Sequence, residues 1–295
     1  MDALATEYDH VHPLYQALVN EPNSERIHRI QTEKFIKYPQ AAFALEKLEN
    51  LINYPTRSRM PCLLLYGKPG VGKTLILKKF LKSHDKIIPN EPPPPNPVVS
   101  FQMPVVPEEK RFYRQLLSAL EAPHPVYGTT NTLVSLARKI LVDRGTKIIL
   151  IDEIHAVLAG TPRQQMLIFN TIRYLTNDLR VPIVCAGTRE SLSALCRDQQ
   201  LADRFEAVEL PTWKEGKDFA GLIETISSTL PLRKPSDLGT AKARQLILER
   251  TDGITVRIFR FIEDLACQAI LNGTEQILLK DIRNSKAMPL ASMGV

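Results

Sequence analysis

The sequence predicts an α/β protein, with a parallel five-stranded sheet flanked by helices and a small all-helical region behind it. Three observations carry this prediction. Short, continuous apolar runs alternate with segments of helical period. The first run, CLLLY (62–66), leads directly into the glycine-rich string GKPGVGKT (67–74). After Pro211 the strand signals stop, and only helical periods follow.

Residues 1–58 are mixed and polar. They end in an amphipathic helix marked by Leu45, Leu48, Leu51 and Ile52 and stopped at Tyr54-Pro55. CLLLY is the first strand, and Leu75, Leu77, Phe80 and Leu81 mark the helix after the glycine loop. PNEPPPPNP (89–97) is an extended surface connection, read either as a stiff spacer or as a proline-rich docking ligand. VVSFQM (98–103) is the second strand. A helix over 108–120 follows, with Phe112, Leu116, Leu117 and Leu120 on one face. A turn-rich piece (122–130) separates it from a helix carrying Leu133, Leu136, Ala137, Ile140 and Leu141. KIILIDE (147–153) is the third strand and ends in two carboxylates. Thr161-Pro162 starts a helix over 162–179. VPIVCAGT (181–188) and VEL (208–210) supply the last two strands. Helices are expected at 214–230, 238–251, 256–271 and 279–285, the third strongest through Ile258, Phe261, Ile262, Leu265, Ala266 and Ala269. The domain boundaries expected are 1–58, an N-terminal helical extension; 59–212, the α/β domain; and 213–295, the helical domain.

Composition narrows the function classes. Thirty-eight Lys and Arg against 32 Asp and Glu give a formal charge of +6, an excess that permits nucleic-acid contact without requiring it. Cys62, Cys185 and Cys267 sit in apolar runs, and no two of the four cysteines have CxxC spacing. A reducing compartment with neither disulfides nor a zinc site is expected. MDALATEYDH lacks the basic and apolar regions of a signal peptide, and no apolar run approaches a membrane span. A cytoplasmic protein without a membrane partner is expected.

GKPGVGKT matches G-x-x-x-x-G-K-[ST] in full, between a strand and a helix, which is the context the motif needs. Gly67, Gly70 and Gly72 let backbone N–H groups turn toward phosphate oxygens, with Lys68, Pro69, Val71 and Leu75 completing the loop and first helical turn. Lys73 supplies charge to the outer phosphates, and the Thr74 hydroxyl suits Mg²⁺. Asp152, ending a buried strand, is placed to hold Mg²⁺ through water. Glu153 is then free to polarise the attacking water. This acidic pair argues for an ATPase with an additional strand between the two motifs, and VVSFQM is the candidate for that strand. His155 in DEIH reads as a structural hydrogen-bonder rather than a catalyst. Thr188, at the carboxyl edge of the sheet, is positioned for a γ-phosphate or the attacking water. Two readings stay open for Arg204, just before the last strand: a finger reaching a neighbour's nucleotide, or a surface ion pair. Arg257 opposes the helix dipole in its first turn, so it either reaches phosphate or is solvated.

These elements together resemble the AAA+ ATPases. A narrower resemblance is to the TniB and TnsC transposition ATPases of Tn7-like and Tn5053-like transposons. It is carried by YPQAAFALEKLENLINYP, RMPCLLLYGKPGVGKT, DEIHAVLAGTPRQQ, NDLRVPIVCAGTRE and LADRFEAVELPTW. The resemblance implies an ATP- and Mg²⁺-dependent ATPase whose helical domain is a lid. It implies that Lys73 and Thr74 bind nucleotide and metal, that Asp152 and Glu153 form the Walker B pair, and that Thr188 is sensor 1. Arg204 would be the arginine finger and Arg257 sensor 2. It further implies a homo-oligomeric ring or helical filament on double-stranded DNA, linking a TniQ-type target-selection protein to a DDE transposase of the TniA or TnsB type. By position, DNA contacts would fall on Lys110, Arg111 and Thr129 or Thr130. Two alternatives from other classes are a replication-initiator or clamp-loader type AAA+ protein and a nucleotide-gated scaffold with little turnover.

Overall fold

A computed structural model of the chain describes residues 8–84, 96–125 and 128–285. The chain forms two compact units: Gln40–Pro211, and the residues up to Pro39 together with those from Thr212 on. The expected 1–58 extension is thus shared between them. The described residues begin with α1 (Pro13–Gln16), α2 (Asn23–Gln31) and α3 (Pro39–Ile52), of which α3 runs from Gln40 in the α/β unit. Residues 89–95 of the proline tract lie outside the described residues.

The sheet contains β1 (Cys62–Tyr66), β2 (Val98–Gln102), β3 (Ile148–Asp152), β4 (Ile183–Gly187) and β5 (Phe205–Glu209), in the order β2-β3-β4-β1-β5. Every neighbouring pair is parallel, with Leu64 opposite Cys185 on one side and Ala207 on the other. This is the five-stranded α/β P-loop AAA+ fold. The strand between the two motif-bearing strands is β4. The expectation for VVSFQM is corrected: as β2 it is an edge strand beyond β3. It precedes β3 in the chain but pairs on the far side from β1, so order along the chain does not give order across the sheet. β5 begins three residues earlier than VEL. It is an edge strand with little burial, so Phe205–Ala207 lack the apolar run that marks the inner strands.

Helices α4 (Lys73–His84), α5 (Glu109–Ala119), α6 (Thr130–Asp143), α7 (Pro162–Asp178), α8 (Arg189–Leu195) and α9 (Gln199–Ala202) complete this unit. The four isoleucine and leucine residues of β3 are fully buried, as a strand between two neighbours requires. Phe101 meets Phe112 edge to face at 5.1 Å, fixing α5 on β2. Thr161 and Gln164 form a capping box at the start of α7, with Pro162 in its first turn.

The second unit adds α10 (Lys217–Ser228), α11 (Ala241–Thr251), α12 (Thr255–Leu271) and α13 (Leu279–Asn284). Ile258, Phe261, Ile262, Leu265, Ala266 and Ala269 form the buried stripe of α12. Arg26 of α2 is wholly buried in this unit. Its Nε and Nη2 donate to the Pro231 carbonyl at 3.1 and 2.7 Å, its Nη1 donates to Glu275 Oε1 at 2.9 Å, and its Nη2 also donates to Glu275 Oε2. Among the described residues no helix is long and apolar enough to cross a membrane.

Candidate functional site

The carboxyl ends of β1, β3 and β4 converge on the loop between β1 and α4. Gly67 donates its backbone N–H to Gly187 at 3.3 Å, and Leu210 donates to the Tyr66 carbonyl at 2.8 Å. A Cβ on Gly67 would fall 2.4 Å from the Leu210 carbonyl oxygen and 3.2 Å from Val71 Cγ2, so only glycine fits there. Gly70 has a φ of 80°, which side-chain-bearing residues rarely adopt. Lys68, Pro69 and Gly70 are exposed, Val71 is buried beneath them, and Gly72 accepts the backbone bond from Ile76 that starts α4 past Leu75.

Lys73 folds back over the loop. Its Nζ donates to the carbonyls of Gly67 at 2.9 Å and Lys68 at 3.0 Å. Burial lowers the pKa of its ammonium from the ordinary value, against the pull of the Glu153 and Asp152 carboxylates. Thr74 Oγ1 donates to Asp152 Oδ2 at 2.7 Å, and the Glu153 N–H donates to Asp152 Oδ1 at 2.8 Å. The oxygen atoms of Thr74 and Asp152 are hard donors of the kind Mg²⁺ takes beside phosphate and water. The ammonium, the hydroxyl and the carboxylate thus fit a magnesium–nucleotide complex.

Glu153 occupies the left-handed region (φ 55°) where β3 passes into a 3₁₀ helix, Ile154–Ala159. Its Oε2 lies 3.1 Å from His155 Nε2. Thr188 precedes α8 next to Gly187, and its hydroxyl is engaged by the Glu190 carboxylate. That hydrogen bond, helped by the Glu190 N–H, holds the Glu190 carboxyl below its ordinary pKa. Glu190, the exposed second residue of α8, is not among the expected site residues.

Arg204 stands at the other end of the sheet. Its carbonyl accepts the Cys62 N–H at 2.8 Å, at the amino end of β1. Its Nη1 donates to Thr176 Oγ1 at 3.0 Å and Asn177 Oδ1 at 2.8 Å, both neutral groups on α7. It lines a cavity of about 420 Å³ with Tyr54, Arg59 and Asp203. Five strand residues separate Arg204 from the glycine loop, roughly 16 Å at the rise of a strand.

The remaining candidates are dispersed. Arg257 is ion-paired with Asp252 in the turn before α12, a local compensation for its unfavourable place on the helix dipole. Arg111 Nε meets Glu108 at 3.0 Å, three residues earlier, and Lys110 lies beside it in the first turn of α5. Thr129 caps α6 by accepting the Thr132 N–H at 3.2 Å, and Thr130 is the first residue of that helix.

A family model described as "Bacterial TniB protein" matches residues 26–215. Among curated proteins none matches. Solved structures similar to this chain include the Aeropyrum pernix ORC2 protein in its ADPNP–ADP complexes, with a TM-score of 0.62 and 15% identity over 86% of this chain and 70% of that one. Cdc6p from Pyrobaculum aerophilum gives a TM-score of 0.62 and 15% identity over 84% and 67%. The Aeropyrum pernix ORC1 protein in complex with DNA gives 0.58 and 16% over 87% and 67%.

Proposed function

The chain belongs to the TniB family, and from that membership we propose that it is an ATP- and Mg²⁺-dependent transposition regulator. It assembles on double-stranded DNA as a homo-oligomeric ring or helical filament. There it links a TniQ-type target-selection protein to a DDE transposase of the TniA or TnsB type, in the bacterial cytoplasm. The observation that carries the nucleotide chemistry is the convergence of Lys73, Thr74 and Asp152 at one loop, with the Thr74–Asp152 contact at 2.7 Å.

Bound Mg²⁺ would supply charge to the phosphate oxygens. Lys73 exchanges the loop carbonyls for the outer phosphates, and Thr74 and Asp152 hold the metal. Glu153 takes a proton from the attacking water, and Thr188 orients that water or the γ-phosphate. In the helical unit, the lid of this proposal, Arg257 would exchange Asp252 for phosphate.

A strand's length separates Arg204 from the loop of its own chain, and neutral acceptors hold it. Both facts support a role on the nucleotide of a second copy. Arg204→Ala is therefore expected to lose hydrolysis and ATP-dependent assembly together, while single-subunit nucleotide binding persists. Phosphate release and sedimentation with an ATP analogue measure this, and wild-type assembly and turnover would make Arg204 a surface residue.

DNA binding in this proposal is independent of sequence and rests on a few contacts per subunit, multiplied by assembly. Lys110→Ala with Arg111→Ala is expected to weaken binding to all duplexes alike. The log–log salt slope should fall by about 0.9 for each phosphate that the variant no longer neutralises. Arg111 is already paired with Glu108, so most of the change belongs to Lys110. Titrations at several salt concentrations read both quantities, and an unchanged slope would move the DNA surface elsewhere, with Thr129 and Thr130 next in line.

The likeness to Orc and Cdc6 proteins favours a second reading, an initiator-type ATPase acting on a helicase or clamp. At 13–16% identity that likeness carries the fold alone, and the family match favours transposition. Electron microscopy of the full chain with duplex DNA and an ATP analogue tests the proposal. Ordered, nucleotide-dependent assemblies are expected, and their absence would refute it.

A further inference from the structure

His155 has no part in the chemistry assigned so far. It follows Glu153 by two residues, across a left-handed turn and into the 3₁₀ helix, and its Nε2 lies 3.1 Å from Glu153 Oε2, a hydrogen-bond distance. Its other ring nitrogen, Nδ1, is buried and has no partner among the described residues. The same holds for Ser191 Oγ on α8. A Cβ on Gly187 would fall 2.3 Å from Ser191 Oγ and 2.8 Å from Ile154 Cγ2. The Ser191 hydroxyl, the end of β4 and the residue before His155 therefore meet at one point. A buried polar atom left unpaired destabilises a fold, and the large majority of buried side-chain polar atoms have a partner. Here one nitrogen faces the carboxylate and the other faces no donor, while an unspent hydroxyl sits on the neighbouring element.

We propose that His155 is the positioning residue of Glu153. Its Nε2 holds Oε2 and leaves Oε1 for the water proton. Its Nδ1 and the Ser191 hydroxyl do not bond in this structure; in the proposal a rotation of the serine side chain brings them together and ties the base to the segment carrying Thr188. The arrangement inverts the familiar triad, in which a carboxylate orients a histidine base; here the imidazole orients a carboxylate base. The proposal rests on Glu153 being the base of an ATPase.

The test uses the full chain as wild type, His155→Ala, His155→Gln, Ser191→Ala and Glu153→Gln, with His155→Ala also combined with Glu153→Gln. Steady-state kcat and KM, the Kd of a fluorescent ATP analogue, and ¹⁵N spectra of histidine-labelled protein are recorded. His155→Ala is expected to lower kcat roughly 10- to 100-fold, the worth of one hydrogen bond to a charged group, with KM and Kd unchanged. His155→Gln recovers most of the loss, because its amide N–H takes the place of Nε2. In the Glu153→Gln background the alanine adds nothing, as expected for two residues acting as one unit. Unchanged kcat in His155→Ala, a loss that falls on KM and Kd, or an equal further loss on top of Glu153→Gln would each overturn the proposal. Absence of turnover in the wild type, or normal turnover in Glu153→Gln, would instead refute Glu153 as base. The spectra then decide for His155 on their own: Glu153→Gln must move its Nε2 resonance and Ser191→Ala its Nδ1 resonance, and unmoved signals overturn the pairing.

Discussion

Replacing Glu153 with glutamine is expected to slow ATP turnover by about 10²- to 10⁴-fold, the usual value of general-base catalysis, while nucleotide binding survives. Glutamine keeps the length of the side chain and removes its basicity. It also leaves untouched the bond from its own N–H to Asp152 Oδ1. Lys73→Ala supplies the contrast, since it removes the ammonium that the loop holds for the outer phosphates and is expected to abolish binding itself. Phosphate-release assays and a fluorescent nucleotide titration separate the two variants. Normal turnover in Glu153→Gln would place the base on another residue.

The other large effect falls on folding. Arg26→Ala is expected to destabilise the helical unit by about 3–5 kcal/mol, because it leaves the Glu275 carboxylate buried without its partner. Replacing both residues with apolar ones of similar volume should restore much of that loss. Chemical denaturation with helical circular dichroism measures the difference, and a loss under about 1 kcal/mol would show the pair to be dispensable. Burial alone raises the Glu275 pKa, but the bonds from Arg26 and the Arg233 N–H outweigh it, and the carboxyl ends below its ordinary value. A carboxyl depressed in the folded state stabilises above its unfolded pKa, about 4.3. That contribution is lost as pH falls through the lower, folded value. The gap between wild type and Glu275→Gln is therefore expected to be widest near neutrality and to close in acid.

Arg26 also shows where sequence reasoning stops. One of the two arginines of α2 stands on its buried face, and its carboxylate partner is 249 residues away, so neither the helix nor the pair is visible in a local window. The opposite case is β1 and its loop: an unbroken apolar run, glycines at fixed offsets and a helical period are all local, and each element formed where its pattern lay. The sheet order was hidden for another reason. Parallel pairing lets β4, late in the chain, insert between β1 and β3, and only hydrogen bonding across the sheet reveals it. At the site, Gly67–Thr74 and Asp152–Glu153 were legible because each follows or ends an apolar run, and the carboxyl ends of those strands lie on the same edge of the sheet with β4 between them. The Glu153–His155 contact depends on a left-handed turn that an ordinary isoleucine and histidine do not announce.

The wall behind the nucleotide loop is one residue from a boundary. Leu210, whose carbonyl leaves no room for a side chain on Gly67, is followed by Pro211, and at Thr212 the chain passes into the helical unit. Leu210 itself is held in the α/β unit by its bond to Tyr66. Because the Leu210 N–H is fastened to Tyr66 at 2.8 Å and its carbonyl lies over Gly67, any shift of Leu210 would be felt at both flanks of the first glycine. The coupling would run both ways inside the α/β unit: a loop spread by phosphate would press on Leu210, and a displaced Leu210 would narrow or widen the cradle.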